Sequence, residues 1–146
     1  MKILVDADAC PTAVREILLR AAERVRVPLV LVANHLLPVP RRRNVRLLAV
    51  GREPDAADRQ ILRLLAAGDL VVTADLPLAA QVLEAGGLVL TPRGERLDAD
   101  NIGPRLAVRD FLETLRGSGI HGGGPTAFRP TDAKAFADAL DRLLAE

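Results

Sequence analysis

The fold is decided by residues 1–11, which read MKILVDADACP. The apolar run over residues 1–5 predicts a short buried strand, and Pro11 is typical of the first turn of a helix, where a missing N–H costs no hydrogen bond. A strand that leads into a helix begins a βαβ unit. Asp6 and Asp8 then lie at the carboxyl end of the strand, where open α/β sheets bind their ligands.

The rest of the chain repeats this alternation. Apolar runs predict further strands at residues 29–33, 45–50, 70–73 and 88–91, and helices at about residues 11–24, 55–67, 77–84, 104–115 and 131–144. Strands that alternate with helices predict parallel pairing with right-handed crossovers. We therefore expect an α/β fold in three α/β/α layers, with a central, mainly parallel sheet of about five strands and with C-terminal helices, in a single domain over residues 1–146.

The composition excludes several classes of protein. A length of 146 residues with 49% apolar composition suits one compact core, and the lone Cys10 excludes an internal disulfide and a cysteine-based zinc site. The first apolar run is too short for a signal peptide or a membrane span, so we expect a cytoplasmic protein with no membrane association. Three Phe and no Tyr or Trp offer few platforms for stacking nucleic-acid bases.

Three more acids belong to the same pattern. Asp55 and Asp58 lie three residues apart on a predicted helix, where like charges repel unless a cation lies between them, and Asp75 follows the fourth strand. If the first, third and fourth strands end at one edge of the sheet, these carboxylates converge with Asp6. Taken singly, Asp8, Asp55 and Asp75 also suit helix N-caps, and Asp58 suits an ion pair with a nearby arginine.

Several carboxylates without cysteine predict a particular kind of metal site. Oxygen ligands favour Mg²⁺ or Mn²⁺ over zinc, and a divalent ion relieves the repulsion between crowded carboxylates. Such sites commonly hydrolyse phosphodiester bonds.

Other polar residues are candidates for phosphate contacts. Asn34 and His35 follow the second strand, and Arg116 precedes a Gly-rich turn at residues 122–125 that suits an anion nest, a lid or a structural turn. The one dense basic run consists of Arg41, Arg42 and Arg43. If its loop lies on the side of the acids it would position a phosphate backbone; a solvated loop and a structural histidine are the simpler alternatives.

Five motifs give the chain a recognisable signature: VDADACP, VANH, DAAD, VVTADLPLA, and GGGP followed by a Phe and an Asp. Over essentially its whole length the chain resembles the YaiI/YqxD family of uncharacterised bacterial proteins. That family looks like a branch of the PIN-like nuclease superfamily, which holds Mg²⁺ or Mn²⁺ with acids at the ends of the first and fourth strands and on an intervening helix. The resemblance implies that Asp6 and Asp75 are metal ligands, that Asp58 is the helical acid, and that Asp8 and Asp55 are further ligands or partners of ligands.

These observations predict a metal-dependent nuclease acting on RNA, with Asp6, Asp8, Asp58 and Asp75 as its catalytic residues. One alternative is a non-catalytic module that binds RNA or protein through the arginine run. Another is a phosphatase with an aspartate nucleophile, because Asp-x-Asp after a strand also presents a nucleophile and an acid. A phosphatase of that kind needs a downstream lysine, and Lys134 on the last predicted helix is far from the expected site.

Overall fold

Strands and helices alternate along the chain, as the apolar pattern predicts. The structure is a computed structural model that describes residues 1–119 and 126–146, so the Gly-rich turn predicted at residues 122–125 lies outside the described residues. The described elements are, in chain order, β1 (Ile3–Asp6), the single 3-10 turn η1 (Ala7–Ala9), α1 (Thr12–Val25), β2 (Leu29–Ala33), β3 (Val45–Ala49), α2 (Ala56–Leu64), β4 (Leu70–Val72), α3 (Leu76–Glu84), β5 (Leu88–Leu90), β6 (Arg96–Leu97), α4 (Ile102–Gly117) and α5 (Pro130–Leu144).

The strands form one sheet in the order β3-β2-β1-β4-β5-β6. The first five are parallel to one another, whereas β6 runs antiparallel to β5. The predicted α/β class is confirmed, but within the described residues the sheet has six strands and not five. A turn at Gly94 folds the chain back on itself, and β6 is only two residues long, which is too short for an apolar repeat to reveal it.

Each face of the sheet is covered by helices. Along β1, Ile3 and Val5 point to a core that includes residues of α1 and α5, and Leu4 points to a second core that includes residues of α2 and α3. This alternation follows from the two-residue repeat of a strand. The three-layer α/β/α arrangement is therefore confirmed.

The strand order reverses beside β1. The chain moves from β1 through α1 to β2 on one side, and it later moves from β4 through α3 to β5 on the other side. Because α1 and α3 pack on opposite faces, the carboxyl ends of β1 and β4 are adjacent while the segments that follow them diverge. Such a switch point opens the crevice in which α/β proteins bind ligands.

Helix α4 lies at the surface beside α3 and contributes little to the core. Its Val108 and Phe111 are more than half exposed, with 56% and 62% of their surface accessible. No helix within residues 1–119 and 126–146 combines the length and the apolar character that a membrane crossing requires.

Helix α2 ends at Leu64, three residues before the predicted end. Leu65 is extended, and the N–H of Ala66 donates to the carboxylate of Asp69 at 2.8 Å instead of continuing the helix. Gly68 has the positive φ of 88° expected of a glycine that closes a helix, but it belongs to the turn into β4. The predicted helix over 55–67 is therefore wrong at its end, because the buried carboxylate of Asp69 accepts the hydrogen bond of the Ala66 N–H.

Asp69 is almost fully buried at the amino-terminal edge of the sheet. Its carboxylate accepts hydrogen bonds from the backbone N–H and the ammonium group of Lys2. Burial alone would raise the pKa of Asp69, but the hydrogen bonds from Lys2 and Ala66 together with the Lys2 charge hold this pKa below its usual value. The ionised carboxylate therefore stabilises the folded protein.

We expect Asp69→Asn to lower the free energy of unfolding by about 1.5–3 kcal/mol at pH 7, the usual contribution of hydrogen bonds to a charged group. Because the folded pKa is depressed, this stabilisation is present above about pH 4 and is lost as the pH falls through the folded pKa. Urea unfolding at pH 7 and pH 3 measures both effects. Asp141→Asn, which breaks an exposed ion pair with Arg24, is the matched control and should change stability little. Equal stability of wild type and Asp69→Asn at pH 7 would contradict this account.

Candidate active site

An acid cleft of about 220 Å³ opens at the carboxyl end of β1, at the switch point of the sheet. Its lining includes four of the five acids singled out from the sequence, namely Asp6, Asp8, Asp58 and Asp75. These acids come from β1, η1, the first turn of α2, and the turn between β4 and α3. The structure therefore brings together carboxylates that are separated by up to about half of the chain.

Asp6 is the last residue of β1 and is half-buried. Its Oδ2 accepts a hydrogen bond from the hydroxyl of Thr73 at 3.1 Å, and the oxygen of that hydroxyl accepts one from the N–H of Asp75 at 3.0 Å. Burial raises the pKa of Asp6; the Thr73 hydrogen bond opposes this, and the charges of Asp75 and Asp8 add to it. Thr73 thus links the two adjacent strand ends.

Asp75 is the N-cap of α3, as one of the alternatives proposed. Its Oδ1 accepts the N–H of Leu78 at 2.9 Å, and Pro77 occupies the first turn. Within the described residues, Oδ1 is the only oxygen of this carboxylate that accepts a hydrogen bond. Capping fixes the direction of the carboxylate, and Asp75 lines the cleft from the start of α3.

Asp58 lies on the first turn of α2 and is half-buried. Burial, followed by the negative charges of Asp75, Asp6 and Asp55, raises the pKa of Asp58 to about 6. In the part of the chain that the structure describes, Asp58 has no ion-pair partner, so its predicted alternative as a partner of a nearby arginine is wrong. The neighbouring carboxylates therefore add to the effect of burial in disfavouring the ionisation of Asp58.

Asp55 is placed differently from the other four acids. It occupies the N-cap position of α2 without a side-chain capping bond, and its Oδ1 lies 3.7 Å from the guanidinium of Arg59. It is exposed and does not belong to the residues that line the acid cleft, among those described. Its role as a metal ligand stays a prediction.

Asp8 joins η1 to the end of β2. Its Oδ2 accepts the backbone N–H of Asn34 at 2.8 Å, and its Oδ1 lies 2.8 Å from Nδ1 of His35. Both carboxylate oxygens are therefore engaged, and Asp8 does not cap α1, whose N-cap residue is Pro11. This arrangement holds Asn34 at the wall of the acid cleft, and Nδ1 of His35 lies 3.2 Å from the side-chain oxygen of Asn34.

The arginine run does not join this site. Arg42 donates to the backbone oxygen of Leu19 at 3.1 Å and to Glu23 at 3.0 Å, which ties it to α1. Arg42 and Arg43 precede β3, so they lie toward the amino-terminal edge of a parallel sheet, away from the acids. Arg116 is exposed in the last turn of α4. Contacts with α1 hold Arg42 on the other side, so the condition under which the run would lie beside the acids is not met, and a phosphate-binding role for Arg41, Arg42 and Arg43 stays a prediction.

Sequence reasoning missed three polar residues that belong to the site. Arg52 and Glu53 line the acid cleft from the turn between β3 and α2. The hydroxyl of Thr73 is hydrogen-bonded to both Asp6 and Asp75. A hydroxyl residue at the end of a buried strand, two positions before an acid, is the signal that would have pointed to Thr73. Lys134, the lysine that a phosphatase would need, is on α5 and pairs with Asp138 at 2.9 Å.

The acid cleft offers carboxylate donors but not a complete set of metal ligands among the described residues. Among the described residues, no group of three or more His, Cys, Asp or Glu side chains is arranged so that it could hold a metal ion by itself. Mg²⁺, however, usually keeps several waters and takes only one or two carboxylates from the protein. All the charged donors are carboxylates, which suit Mg²⁺ and Mn²⁺, and a cation would relieve the repulsion that raises the pKa of Asp58.

Comparison with known proteins places the chain in a family. A model described as "Uncharacterized BCR, YaiI/YqxD family" matches residues 4–146. The chain is 54% identical over 146 residues to a UPF0178 protein of Vibrio cholerae, covering 100% of this chain and 98% of that protein. It is 56% identical over 146 residues to a UPF0178 protein of Thioalkalivibrio sulfidiphilus, covering 100% and 99%. No solved structure gives a significant match. The chain belongs to the uncharacterised YaiI/YqxD family.

Proposed function

We propose that the protein is a metal-dependent nuclease of the PIN-like kind that hydrolyses phosphodiester bonds in RNA. The observation that supports this proposal is the convergence of Asp6, Asp8, Asp58 and Asp75 on one cleft at the switch point of the sheet. Burial is the main cause of the raised pKa values of Asp6 and Asp58, and the negative charges of the neighbouring acids add to it, so a cation in the cleft would be stabilising. Asp75 caps α3 and Asp8 holds Asn34, but among the described residues no hydrogen bond or ion pair accounts for the position of Asp58 in the cleft.

In this proposal Asp6, Asp58 and Asp75 hold Mg²⁺ or Mn²⁺, one or two of them directly and the rest through bound water, and Asp55 adds negative charge from the start of α2. The bound ion would supply positive charge that acidifies water and stabilises the leaving oxygen of the phosphodiester. The Thr73 hydroxyl orients the carboxylate of Asp6, and the N–H of Leu78 orients that of Asp75.

Substrate binding is assigned to residues around the acid cleft. Asp8 fixes the backbone of Asn34 and the ring of His35, so that both can contact a phosphate group. Arg52 at the cleft wall supplies the nearest positive charge for the RNA backbone. Arg116 and the run from Arg41 to Arg43 would contact only more distant parts of a long substrate.

Cleavage of single-stranded RNA by protein free of contaminating nuclease tests this proposal. We expect shortened products with Mn²⁺ or Mg²⁺ and none with EDTA. If the protein binds Mn²⁺ but cuts no nucleic acid at any salt concentration, the catalytic part of the proposal is wrong.

The raised pKa of Asp58 predicts how metal binding depends on pH. Because its folded pKa of about 6 lies above the usual value of 3.8, the folded protein binds more protons between these pH values, and its metal-free stability falls as the pH rises from about 4 to about 6. Mn²⁺ binds the ionised form. We therefore expect the increase in Tm on adding Mn²⁺ to grow between pH 5 and pH 7, measured by thermal unfolding.

Asp58→Asn isolates this effect. The substitution removes a repelling charge, so the metal-free variant should be more stable than wild type at pH 7, by no more than about 1 kcal/mol because water screens the partly exposed Asp58. It should also respond less to Mn²⁺ than wild type does. Asp110→Asn, an exposed acid on α4, is the matched control for loss of one charge. A wild-type Mn²⁺ effect that is the same at pH 5 and pH 7 would contradict the prediction.

A further inference from the structure

A second depression of about 410 Å³ lies beside the acid cleft. Its volume is within the range of roughly 300–1,000 Å³ that small-molecule pockets occupy. Its walls are mainly apolar and include Pro11, Leu76, Pro92 and Phe128. We refer to this depression as the apolar pocket.

The charged groups of the apolar pocket are fixed in place. Arg93 lies with its guanidinium carbon 5.8 Å from the centre of the Phe128 ring, and its Nη1 donates to Asp132 at 3.0 Å. Arg105 pairs with Glu95 at 2.9 Å at the rim. Arg93 also donates to the hydroxyl and the backbone oxygen of Thr126, so its guanidinium acts as a fixed cation beside the ring. The pocket thus offers an aromatic ring beside a fixed cation, with Arg105 and Glu95 among its lining residues. Flat bases present a π-face and polar edges, which suit such walls.

The apolar pocket and the acid cleft share a wall one residue thick. Ala74 and Leu76 line the pocket, whereas Asp75 between them lines the cleft. In the same way Ala9 lines the pocket and its neighbour Asp8 lines the cleft. The two depressions therefore adjoin each other along two short segments of the chain, residues 8–9 and 74–76.

We propose that the apolar pocket binds the base of the nucleotide adjoining the phosphate in the acid cleft. This inference rests on the proposed function for the identity of the ligand, a nucleic acid. It also assigns a role to Phe128, one of three Phe in a chain whose composition argued against base stacking. Phe128 packs against the core, and its half-buried ring completes a wall of the pocket.

The test measures base binding without metal or cleavage. Adenosine and ribose are titrated into the protein in EDTA, and backbone amide shifts are followed by NMR. We expect adenosine to shift the amides of Leu76, Thr91 and Phe128 with at least about ten-fold higher affinity than ribose, which has no base. Equal affinities, or no detectable binding of adenosine, would overturn the inference. N-acetyl-leucinamide tests an apolar side chain as the occupant; if it binds as tightly as adenosine, the pocket is a protein-docking site and the inference is wrong.

Phe128→Leu tests whether adenosine binding needs the aromatic ring. Leucine keeps an apolar contact with the core but removes the aromatic ring, so adenosine affinity should fall about ten-fold while Tm changes little. Arg105→Ala, at the exposed rim, is a second variant that does not depend on the core; it should weaken adenosine binding by a smaller factor. Unchanged adenosine affinity in both variants would refute the assignment.

The results separate the two proposals. A protein that prefers adenosine to ribose but cuts no RNA retains the apolar pocket as a base site and loses the proposed catalysis. A protein that cuts RNA with Mn²⁺ but binds adenosine and ribose equally retains the catalysis and loses the base site.

Discussion

Replacing Asp6 with asparagine is expected to lower the rate of Mn²⁺-dependent RNA cleavage by about 10²–10³-fold, the loss typical when a group that stabilises transition-state charge is removed. Asp6 is the most buried of the proposed ligands and stands between the charges of Asp8 and Asp75. Asparagine has nearly the same shape and can still accept the hydrogen bond from Thr73, so the fold should be preserved while the negative charge is lost.

The measurement is single-turnover cleavage of an end-labelled single-stranded RNA at saturating Mn²⁺, with Tm recorded for each variant. Asp110→Asn makes the same chemical change on the exposed face of α4 and should cut at the wild-type rate. Binding of Mn²⁺, followed by calorimetry, should weaken in Asp6→Asn and not in Asp110→Asn. An Asp6→Asn protein that retains a tenth or more of the activity would exclude Asp6 from the chemistry.

Gly94→Ala is expected to lower the free energy of unfolding by about 2–5 kcal/mol. Gly94 has a φ of +90°, which costs an L-residue about 1–2 kcal/mol. A Cβ at this position would also lie 2.6 Å from the backbone carbon and oxygen of Ala135 on α5, and relieving that overlap adds about 1–3 kcal/mol. The turn between β5 and β6 therefore rests directly on the backbone of α5.

Gly68→Ala separates the two contributions to this loss. Gly68 has almost the same φ, +88°, but nothing lies within 4 Å of the position of its Cβ among the described atoms. It should lose only the backbone cost of about 1–2 kcal/mol. Urea unfolding of both variants measures the difference, which reports the close approach of the turn to α5. Equal losses in the two variants would show that α5 can shift away from the turn.

The framework of the sheet could be predicted because apolar runs and strand-ending acids are local signals. The run before Asp6 is buried in β1, and the acid after β4 lies on the adjacent strand end, as the rule for parallel sheets requires. Asp58 joins them because α2 starts close to the same edge. The edge of the sheet on which each acid lies follows from strand direction, which can be inferred from the alternation of helices with strands. Which strand ends are neighbours follows from the strand order, which the alternation does not give.

The remaining features depend on contacts between distant segments, which no local pattern encodes. Arg42 donates to Leu19 and Glu23 of α1, which precede it by 23 and 19 positions in the chain. These contacts hold Arg42 away from the acids. Phe128 reaches the apolar pocket from the segment before α5. Similarly, Asp69 ends α2 early by capturing a backbone N–H. Composition alone could not show that a single phenylalanine stands beside the cleft.

The ion pair of Lys2 with Asp69 has a consequence for how this protein can change. It links the residues that precede β1 and β4, at the edge of the sheet opposite the acid cleft. The same two strands therefore have a stabilising ion pair at their amino-terminal ends and like-charged carboxylates at their carboxyl ends. Substitutions that strengthen the contacts around Lys2 and Asp69 can offset the destabilising repulsion in the acid cleft without changing the residues of the cleft. Stability and chemistry can therefore be tuned separately in this chain.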